Sequence, residues 1–265
     1  MKEKIIASLP GDHPWQNQIL WFDTIDSTNT RAKELARKGA HHGTVLLADC
    51  QSGGRGRLGR SFHSPAGTGI YMSLILRPDC YPGELMHLTC AAAVAVCDAV
   101  EAAAGFRPGI KWTNDLVWER HKLGGILTEL GLTPQGKVDF AIVGIGLNCS
   151  QSAADFPEEI RAIASSLSEV TGKAVDRAAV TAAMITALAD MSSRLLTHQD
   201  DTIRRYRADC ITLGQQISLV RGDTVRHGKA LDVDSDGGLI VEFSNGHRET
   251  VTSGEVSVRG MYGYL

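Results

Sequence analysis

The 265-residue sequence lacks several features that would each assign it to a common class of protein. Its 27 Lys and Arg residues against 30 Asp and Glu give a formal net charge of −3, whereas nucleic-acid-binding proteins usually carry a basic excess. Its six cysteines form no CxxC pair, which excludes a zinc ribbon or a thioredoxin motif. Residues 1–15 contain no apolar core of the signal-peptide type, and we expect no run to be long and apolar enough to span a bilayer. We therefore expect a cytoplasmic protein without DNA or membrane partners.

The composition is that of an ordinary globular protein. Hydrophobic residues make up 43% and charged residues 22% of the chain, which suits one large domain or one large and one small domain. Cys90 and Cys97 lie on one face of an alanine-rich stretch, and we interpret them as small buried hydrophobic residues.

Local patterns predict an α+β fold for most of the chain. Ser27 is a suitable N-cap for a helix that Gly39 ends. His121 and Lys122 are predicted to form a tight turn between two strands. Further helices are predicted at residues 85–104, 158–169 and 177–207. Strands are predicted at residues 44–50, 70–76, 115–119, 123–130 and 138–148.

The pattern changes near Gly214, where short strands alternate with Gly- and Asp-rich turns. Residues 236–238 (DGG) and 245–246 (NG) are hairpin signals. About fifty residues with this spacing are typical of a small β-barrel. We therefore predict a first domain at residues 1–213 and a β-barrel domain at 214–265. The barrel strands are predicted at 216–220, 224–233, 239–243 and 248–252.

The segment with the most unusual composition is residues 51–60, QSGGRGRLGR, which contains four glycines and three arginines. Glycine exposes backbone N–H groups, and arginine presents a permanent, planar charge that matches carboxylate or phosphate. The loop is not a Walker A motif or a dinucleotide fingerprint, because it lacks their spacing and flanking elements. An anion-binding loop is favoured over a merely solvated one.

Three further motifs contain residues suited to a binding or catalytic site, and each also has a purely structural explanation. KWTND at 111–115 is either a site or a β-turn with a half-buried Trp. HKLGGIL at 121–127 places glycines inside a strand, which favours close approach of a ligand or of another backbone. GIGLN at 144–148 is either a ligand contact or a crowded strand end.

Together with Ser27-Thr28-Asn29, these motifs occur in an order that closely resembles the biotin protein ligases, over nearly the whole chain. The resemblance implies a class II aminoacyl-tRNA synthetase-like mixed sheet, with helices on one side, followed by an SH3-like barrel. Thr113 stands where the family usually has Pro, and this replacement is expected to loosen the turn. Phe62 stands where the family usually has Trp. The short segment before Ser27 leads us to expect the form without a DNA-binding domain, and a homodimer is possible.

The resemblance also implies the reaction and the residues that perform it. Biotin and ATP would form biotinyl-5′-adenylate with Mg²⁺, and a lysine of a biotin carboxyl carrier protein would then take the biotinyl group. Lys122, Arg57 and Asp115 are the expected catalytic residues. Asp115 could bind metal, orient Lys122 or assist deprotonation. The expected binding residues are Ser27, Thr28, Asn29, Gln51, Gly54, Arg55, Gly56, Arg57, Arg60, Lys111, Trp112, Asn114, Lys122, Gly124, Gly125, Gly144, Gly146 and Asn148.

Two other functions remain open from the residues alone. A lipoate–protein ligase shares the two-step chemistry but is not expected to carry the GRGRLGR loop. A biotin-sensing module without turnover is disfavoured by the retained Lys122 and loop arginines. We also expect the glycine-rich loop to become ordered over its ligand.

Overall fold

A computed structural model of the protein describes residues 1–221, 224–252 and 255–258, and in these ranges the strands form two sheets. The strands are β1 (Ile19–Ile25), β2 (Thr44–Gln51), β3 (Gly69–Leu76), β4 (Gly109–Lys111), β5 (Asp115–Trp118), β6 (His121–Leu132), β7 (Val138–Asn148), β8 (Gln216–Arg221), β9 (Thr224–Val233), β10 (Leu239–Phe243), β11 (Arg248–Val251) and β12 (Glu255–Val258). The helices are α1 (Lys2–Ser8), α2 (Thr28–Arg37), α3 (Leu88–Ala104), α4 (Glu158–Arg161), α5 (Leu167–Thr171), α6 (Arg177–Arg194) and α7 (Gln199–Asp209).

The larger sheet has seven strands in the order β1-β2-β3-β7-β6-β5-β4. Only β1 and β2 pair in parallel, because α2 connects them as a crossover, and the other pairs are antiparallel. The Ser27 hydroxyl caps α2 by accepting from the Thr30 N–H at 3.5 Å. Gly39, with φ of +87°, follows the helix end, so the predicted helix and its two boundary signals are confirmed.

Helices cover both faces of this sheet, so the expectation of helices on one side was wrong. Ala32 and Ala36 of α2 pack on Leu46, Ile75 and neighbouring side chains of one face. The alternate residues of the same strands pack in a larger cluster with α3 and α6 on the other face. The central strands are apolar on both faces because both faces are buried.

The helical stretch Pro82–Ala104 corrects the sequence-based statement about membrane-spanning length. Among the described residues it is the one helix long and apolar enough to cross a membrane, with mean hydropathy 1.5. Its most apolar window is 72% buried inside the protein, where α3 packs against α6 and the sheet. It is therefore a core helix, and its α-helical part begins at Leu88, after a 3₁₀ turn at Pro82–Leu85.

Two predicted helices are interrupted in the structure. The helix predicted at 158–169 is split into α4 and α5, because the intervening backbone pairs with β6: the Lys122 N–H donates to the Ile163 carbonyl at 2.7 Å. The helix predicted at 177–207 breaks between α6 and α7, where the buried Leu195 turns its carbonyl to His87 Nε2 at 2.9 Å. His121 and Lys122 begin β6, and the turn lies at Glu119 and Arg120 instead.

The smaller sheet is antiparallel, in the order β11-β10-β9-β8-β12. The two predicted turns are present, and Gly237 and Gly246 adopt φ values of +87° and +78° that favour glycine. The four predicted strands are confirmed, and β12 is an additional one that sequence patterns did not indicate. Parts of the predicted 214–265 domain, residues 222–223, 253–254 and 259–265, lie outside the described residues.

Candidate active site

A cleft opens on the α2 face of the larger sheet, between the first turn of α2, the loop that follows β2, and strands β5 to β7. It brings together sixteen of the nineteen residues expected from sequence. These are Ser27, Thr28, Asn29, Gln51, Arg55, Gly56, Arg57, Arg60, Lys111, Trp112, Asn114, Asp115, Lys122, Gly125, Gly144 and Gly146. Leu58, Ser61, Phe62, Met72, Ile126, Leu127 and Ile145 add to its lining.

A polar cradle forms where β2 ends beside the first turn of α2. The Gln51 side-chain carbonyl accepts from the Thr28 N–H at 2.8 Å and lies 3.0 Å from the Thr28 hydroxyl. Its amide donates to the Ser64 hydroxyl at 3.0 Å. Thr28 is buried. These groups are held by one another in fixed orientations, so they can recognise a polar ligand without reorganising.

Two glycines of β7 make room for protein side chains on this face. A Cβ at Gly144 would lie 1.9 Å from Asn29 Oδ1, and one at Gly146 would lie 2.5 Å from the Phe62 ring. Asn29 is fixed by Ser73, whose hydroxyl donates to Asn29 Oδ1 at 2.6 Å. The alternative of a crowded strand end therefore describes these glycines well, although both border the cleft.

The loop after β2 forms a hairpin that crosses the cleft. The Phe62 N–H donates to the Gly54 carbonyl at 2.9 Å, and the Gly56 N–H donates to the Arg60 carbonyl at 2.7 Å. At its tip, within the 3₁₀ turn Arg57–Gly59, Leu58 has φ of +56° and is 69% exposed. Phe62, in the position of the usual Trp, packs edge-on against Tyr71.

Arg57 reaches from the loop to the turn that precedes β5. Its Nη1 donates to Asn114 Oδ1 at 2.9 Å, and Asn114 is itself held by its amide donating to the Ile126 carbonyl at 3.0 Å. Burial lowers the pKa of Arg57, and the negative charge of Asp115 opposes that shift. The guanidinium pKa is so high that the group remains charged at neutral pH, which leaves a cation in a partly desolvated position.

Lys122 and Asp115 form an ion pair on the wall of the cleft that also carries Asn114. Lys122 Nζ lies 2.6 Å from Asp115 Oδ1, and a Cβ at Gly125 would lie 3.4 Å from the lysine Nζ. Gly125 therefore leaves the ammonium accessible from the cleft. No group of three or more His, Cys, Asp or Glu side chains able to hold a metal occurs among the described residues. Asp115 alone could supply one carboxylate to a metal that arrives on a substrate.

Glu129 of β6 is a charged residue of this region that the sequence analysis missed. Lys33 Nζ lies 2.8 Å from Glu129 Oε1, while Arg55 Nη1 and Asn29 Nδ2 each lie 3.1 Å from Oε2. Burial opposes ionisation, but the hydrogen bonds from Lys33 and Asn29 and the charge of Arg55 outweigh it and lower the Glu129 pKa. The available signal was an acidic residue in an apolar strand, on the same face as Gly125.

The KWTND segment connects the cleft to the smaller sheet. Trp112 is buried, and its Nε1 donates to the Gly237 carbonyl in the turn between β9 and β10, at 2.9 Å. The Thr113 carbonyl accepts from the Tyr206 hydroxyl at 3.0 Å. The structural alternative for residues 111–115 was a β-turn with a half-buried Trp, but Trp112 is fully buried. It supports the wall of the cleft that carries Asn114 and Asp115.

Three expected residues do not line the cleft. Asn148 is buried at the end of β7, where its amide donates to the Ser165 carbonyl at 3.0 Å. A Cβ at Gly124 would lie 2.4 Å from the Gly146 carbonyl, and one at Gly54 would lie 2.4 Å from the Phe62 carbonyl. The two glycines allow backbones to approach closely and the Asn148 side chain is engaged by Ser165, so the positions of these three residues do not support their expected direct contact with ligand.

Known proteins resemble this chain over nearly its whole length. Residues 21–148 match the biotin/lipoate A/B protein ligase family, and residues 212–259 match the biotin protein ligase C-terminal domain. A bifunctional ligase/repressor BirA of Bacillus spizizenii is 39% identical over 229 residues, covering 86% of this chain and 70% of that protein. A biotin–[acetyl-CoA-carboxylase] ligase of Paracoccus denitrificans is 34% identical, covering 89% and 98%.

This chain belongs to the biotin protein ligase family. A solved biotin protein ligase from Aquifex aeolicus, in complex with biotin and ATP, matches with a TM-score of 0.77 and 31% identity, over 91% of this chain and 98% of that one. The family resemblance stated from the motifs is confirmed, and the ligase is an enzyme. The individual roles of its cleft residues stay predictions.

Proposed function

We propose that this ligase joins biotin to a lysine of a biotin carboxyl carrier domain, through biotinyl-5′-adenylate. The observation that carries the proposal is the convergence of a polar cradle at Thr28 and Gln51 with the charges of Arg57 and Lys122 in one cleft. The solved relative that holds biotin and ATP supports both as substrates.

The cradle is suited to the ureido ring of biotin, which offers N–H donors and a carbonyl acceptor. Ser27, Thr28 and Gln51, together with the backbone at Gly125, would contact that ring. A site that hydrogen-bonds a polar ring discriminates against a ligand that lacks it, because such a ligand offers no hydrogen bonds in exchange for those that the cradle residues make with one another. This argument favours biotin over lipoate, whose dithiolane ring is less polar.

The first step brings two anions together. A biotin carboxylate oxygen attacks the α-phosphorus of ATP, the new P–O bond forms as the bond to the leaving pyrophosphate breaks, and a mixed anhydride results. Arg57 and Lys122 would offset the charge that develops on the reacting oxygens. Mg²⁺ would arrive on the triphosphate, because Mg²⁺ is commonly bound by substrate phosphates with one or two carboxylates. Asp115 is the carboxylate that lies nearest Lys122 in this cleft.

The second step transfers the biotinyl group to the carrier. The neutral amine of the carrier lysine attacks the anhydride carbonyl, an amide bond forms, AMP leaves and the amine loses a proton. Asp115 is placed to assist that deprotonation or to orient Lys122. The relative named biotin–[acetyl-CoA-carboxylase] ligase supports a carboxylase carrier as the acceptor.

Architecture, location and assembly form part of the same proposal. We propose a class II synthetase-like domain at 1–213 and an SH3-like domain at 214–265, which the separate five-stranded sheet supports. We further propose a cytoplasmic enzyme without DNA or membrane partners, with homodimers possible.

One assay separates the proposal from its alternatives. The ligase is incubated with ATP, an apo carrier domain and either biotin or lipoate, and the mass of the carrier is measured. A biotin-sized gain supports the proposal, whereas a lipoyl-sized gain supports a lipoate ligase and no gain supports a sensing module. A Lys122→Ala variant is the matched control, and it should retain its fold by circular dichroism while losing the mass gain.

A further inference from the structure

Arg55 and Arg57 anchor the loop at two different places. Arg57 binds Asn114 beside β5, whereas Arg55 binds Glu129 on β6, with 3.1 Å between Arg55 Nη1 and Glu129 Oε2. The backbone hydrogen bonds between the arms of the hairpin fix the two arginines relative to each other. Arg55 therefore connects one arm of the loop to the sheet beneath it.

The two arginines differ in the charge of their partners. Asn114 is neutral, so this hydrogen bond brings no opposite charge into contact with Arg57, and Asp115 acts on Arg57 only through its nearby charge. Glu129 is a carboxylate, so its contact with Arg55 compensates the guanidinium charge. A compensated cation stabilises developing negative charge on a substrate less effectively than an uncompensated one. Arg55 is consequently poorly suited to the role of offsetting charge on the reacting oxygens.

Glu129 is held firmly on the sheet side of the contact. Lys33 of α2 binds its other oxygen at 2.8 Å, and Asn29 donates to Oε2 at 3.1 Å. The side chain of Glu129 is only 20% exposed, whereas that of Arg55 is 41% exposed. The carboxylate is thus a fixed acceptor on the rigid part of the molecule, and the arginine is the partner that the loop brings to it.

We propose that Glu129 is a positioning residue that holds the loop across the cleft through Arg55, and that Arg55 contributes through this contact rather than through its charge on the substrate. Loss of either partner would release the same arm of the loop. Bound biotin would then dissociate faster and its KM would rise, while the chemical step would change less. The expected change in biotin dissociation and KM rests on the proposed function, whereas the contact by which Glu129 holds the loop through Arg55 does not.

A double-mutant cycle in the ligand-free protein tests the hold on the loop. Thermolysin cleavage before the exposed Leu58 is followed in the wild type, Arg55→Ala, Glu129→Ala and the double variant. Partly exposed ion pairs contribute up to about 1 kcal/mol, so each single variant should be cleaved about two- to fivefold faster. The double variant should be cleaved no faster than the singles, because the partners act together. The proposal would be overturned if the single variants were cleaved at the wild-type rate. It would also be overturned if the increase in cleavage rate in the double variant were the product of the two single increases.

Lys33→Ala is the matched control, because it removes a cation from the same carboxylate without touching the loop. It should change cleavage by less than about twofold; an effect equal to that of Glu129→Ala would mean that α2 packing, not the contact with the loop, controls cleavage.

Enzyme kinetics supply the second measurement. Arg55→Ala and Glu129→Ala should each raise the KM for biotin with a smaller change in kcat, and Arg55→Lys should restore part of the loss. A fall in kcat for Arg55→Ala that Glu129→Ala does not share would assign Arg55 to the reacting oxygens and overturn the proposal. If no biotin transfer occurs in any form, the proposed function fails, while the cleavage cycle still tests the loop contact.

Discussion

At the scale of single residues, two arginines of the same loop have different roles because their hydrogen-bond partners differ. Arg57 donates to the neutral Asn114, and the nearby charge of Asp115 favours its charged form, whereas Arg55 is in direct contact with the carboxylate of Glu129. We predict that Arg57→Ala releases the adenylate intermediate about tenfold faster or more, because hydrogen bonds to charged groups contribute about 1.5–3 kcal/mol. Biotinylation of bystander lysines should rise accordingly. Arg31→Ala, at an exposed pair with Glu34 on α2, is the control; an unchanged release rate for the Arg57 variant would refute the role.

Gly144 illustrates a residue whose smallness is required by a neighbour. A Cβ there would lie 1.9 Å from Asn29 Oδ1, so Gly144→Ala must displace Asn29. We predict a loss of about 1–3 kcal/mol in the free energy of unfolding, the usual cost of overpacking, together with weaker biotin binding. Gly83→Ala is the control, because nothing lies within 4 Å of its added Cβ. If denaturant titrations gave the two variants equal free energies of unfolding, Asn29 would be able to move aside without cost, and the prediction would be wrong.

At the scale of elements, sequence patterns predict what local forces determine. Ser27 and Gly39 delimit α2 correctly because capping is local, and β7 occurs at the predicted 138–148 because its run of apolar residues is long. The breaks after α4 and α6 depend on distant partners, the backbone of Lys122 and the ring of His87. No local pattern contains that information.

The same distinction applies to the candidate site. Motifs rich in glycine and charge identify most of the cleft lining, because glycine is unusual inside strands and the loop after β2 combines four glycines with three arginines. Glu129 escapes notice because its importance comes from Lys33 and Arg55, which approach it only in the folded protein. Asn148 shows the converse: the sequence places it in a motif, whereas in the fold its buried amide donates to the distant Ser165 carbonyl, and its role as a binding residue stays a prediction.

The loop at residues 51–69 is the element whose behaviour should depend on ligand. Its tip is exposed at Leu58, and its arms are joined by only a few backbone hydrogen bonds among the described contacts. We predict that biotin with ATP slows proteolysis of this loop at least several-fold, because the ligand adds contacts across the cleft. Cleavage at the exposed turn around Asn245, which does not line the cleft, is the internal control. Equal cleavage of the loop with and without ligand would exclude ordering by the ligand.

The wall formed by Trp112 depends on the smaller sheet. Its Nε1 donates to the Gly237 carbonyl in a buried position. We predict that Trp112→Phe lowers the free energy of unfolding by about 1–3 kcal/mol, the cost of leaving a buried polar group without its partner, and weakens substrate binding. Trp21→Phe is the matched control, since the Nε1 of Trp21 donates to Asp23 at an exposed position. Equal melting temperatures of the Trp112→Phe and Trp21→Phe variants would show that the hydrogen bond from Trp112 to Gly237 does not stabilise the wall.

At the scale of the whole molecule, thiol reactivity reports how closely the smaller sheet packs against α3. All six cysteines are free, and Cys50 is the one that is not fully buried. Burial raises the pKa of Cys90 to about 12, and the nearby thiol of Cys210 adds to the shift. A thiol with so high a pKa is almost entirely protonated at pH 8, and thiolate is the reactive form. Cys90 Sγ, in α3, also lies against Gly237, where an added Cβ would approach it to 2.8 Å, so movement of the smaller sheet away from α3 would expose it.

We predict that a disulfide reagent at pH 8 modifies one thiol rapidly in the native ligase and all six in denaturant. Cys50→Ser should abolish the rapid phase, because it removes the accessible sulfur and leaves the buried ones unchanged. Mass spectrometry of the modified peptides identifies the reacting cysteine. Rapid modification of Cys90 in the native protein would mean that the smaller sheet moves away from α3 in solution, and the support that Trp112 gives to the cleft would then be intermittent.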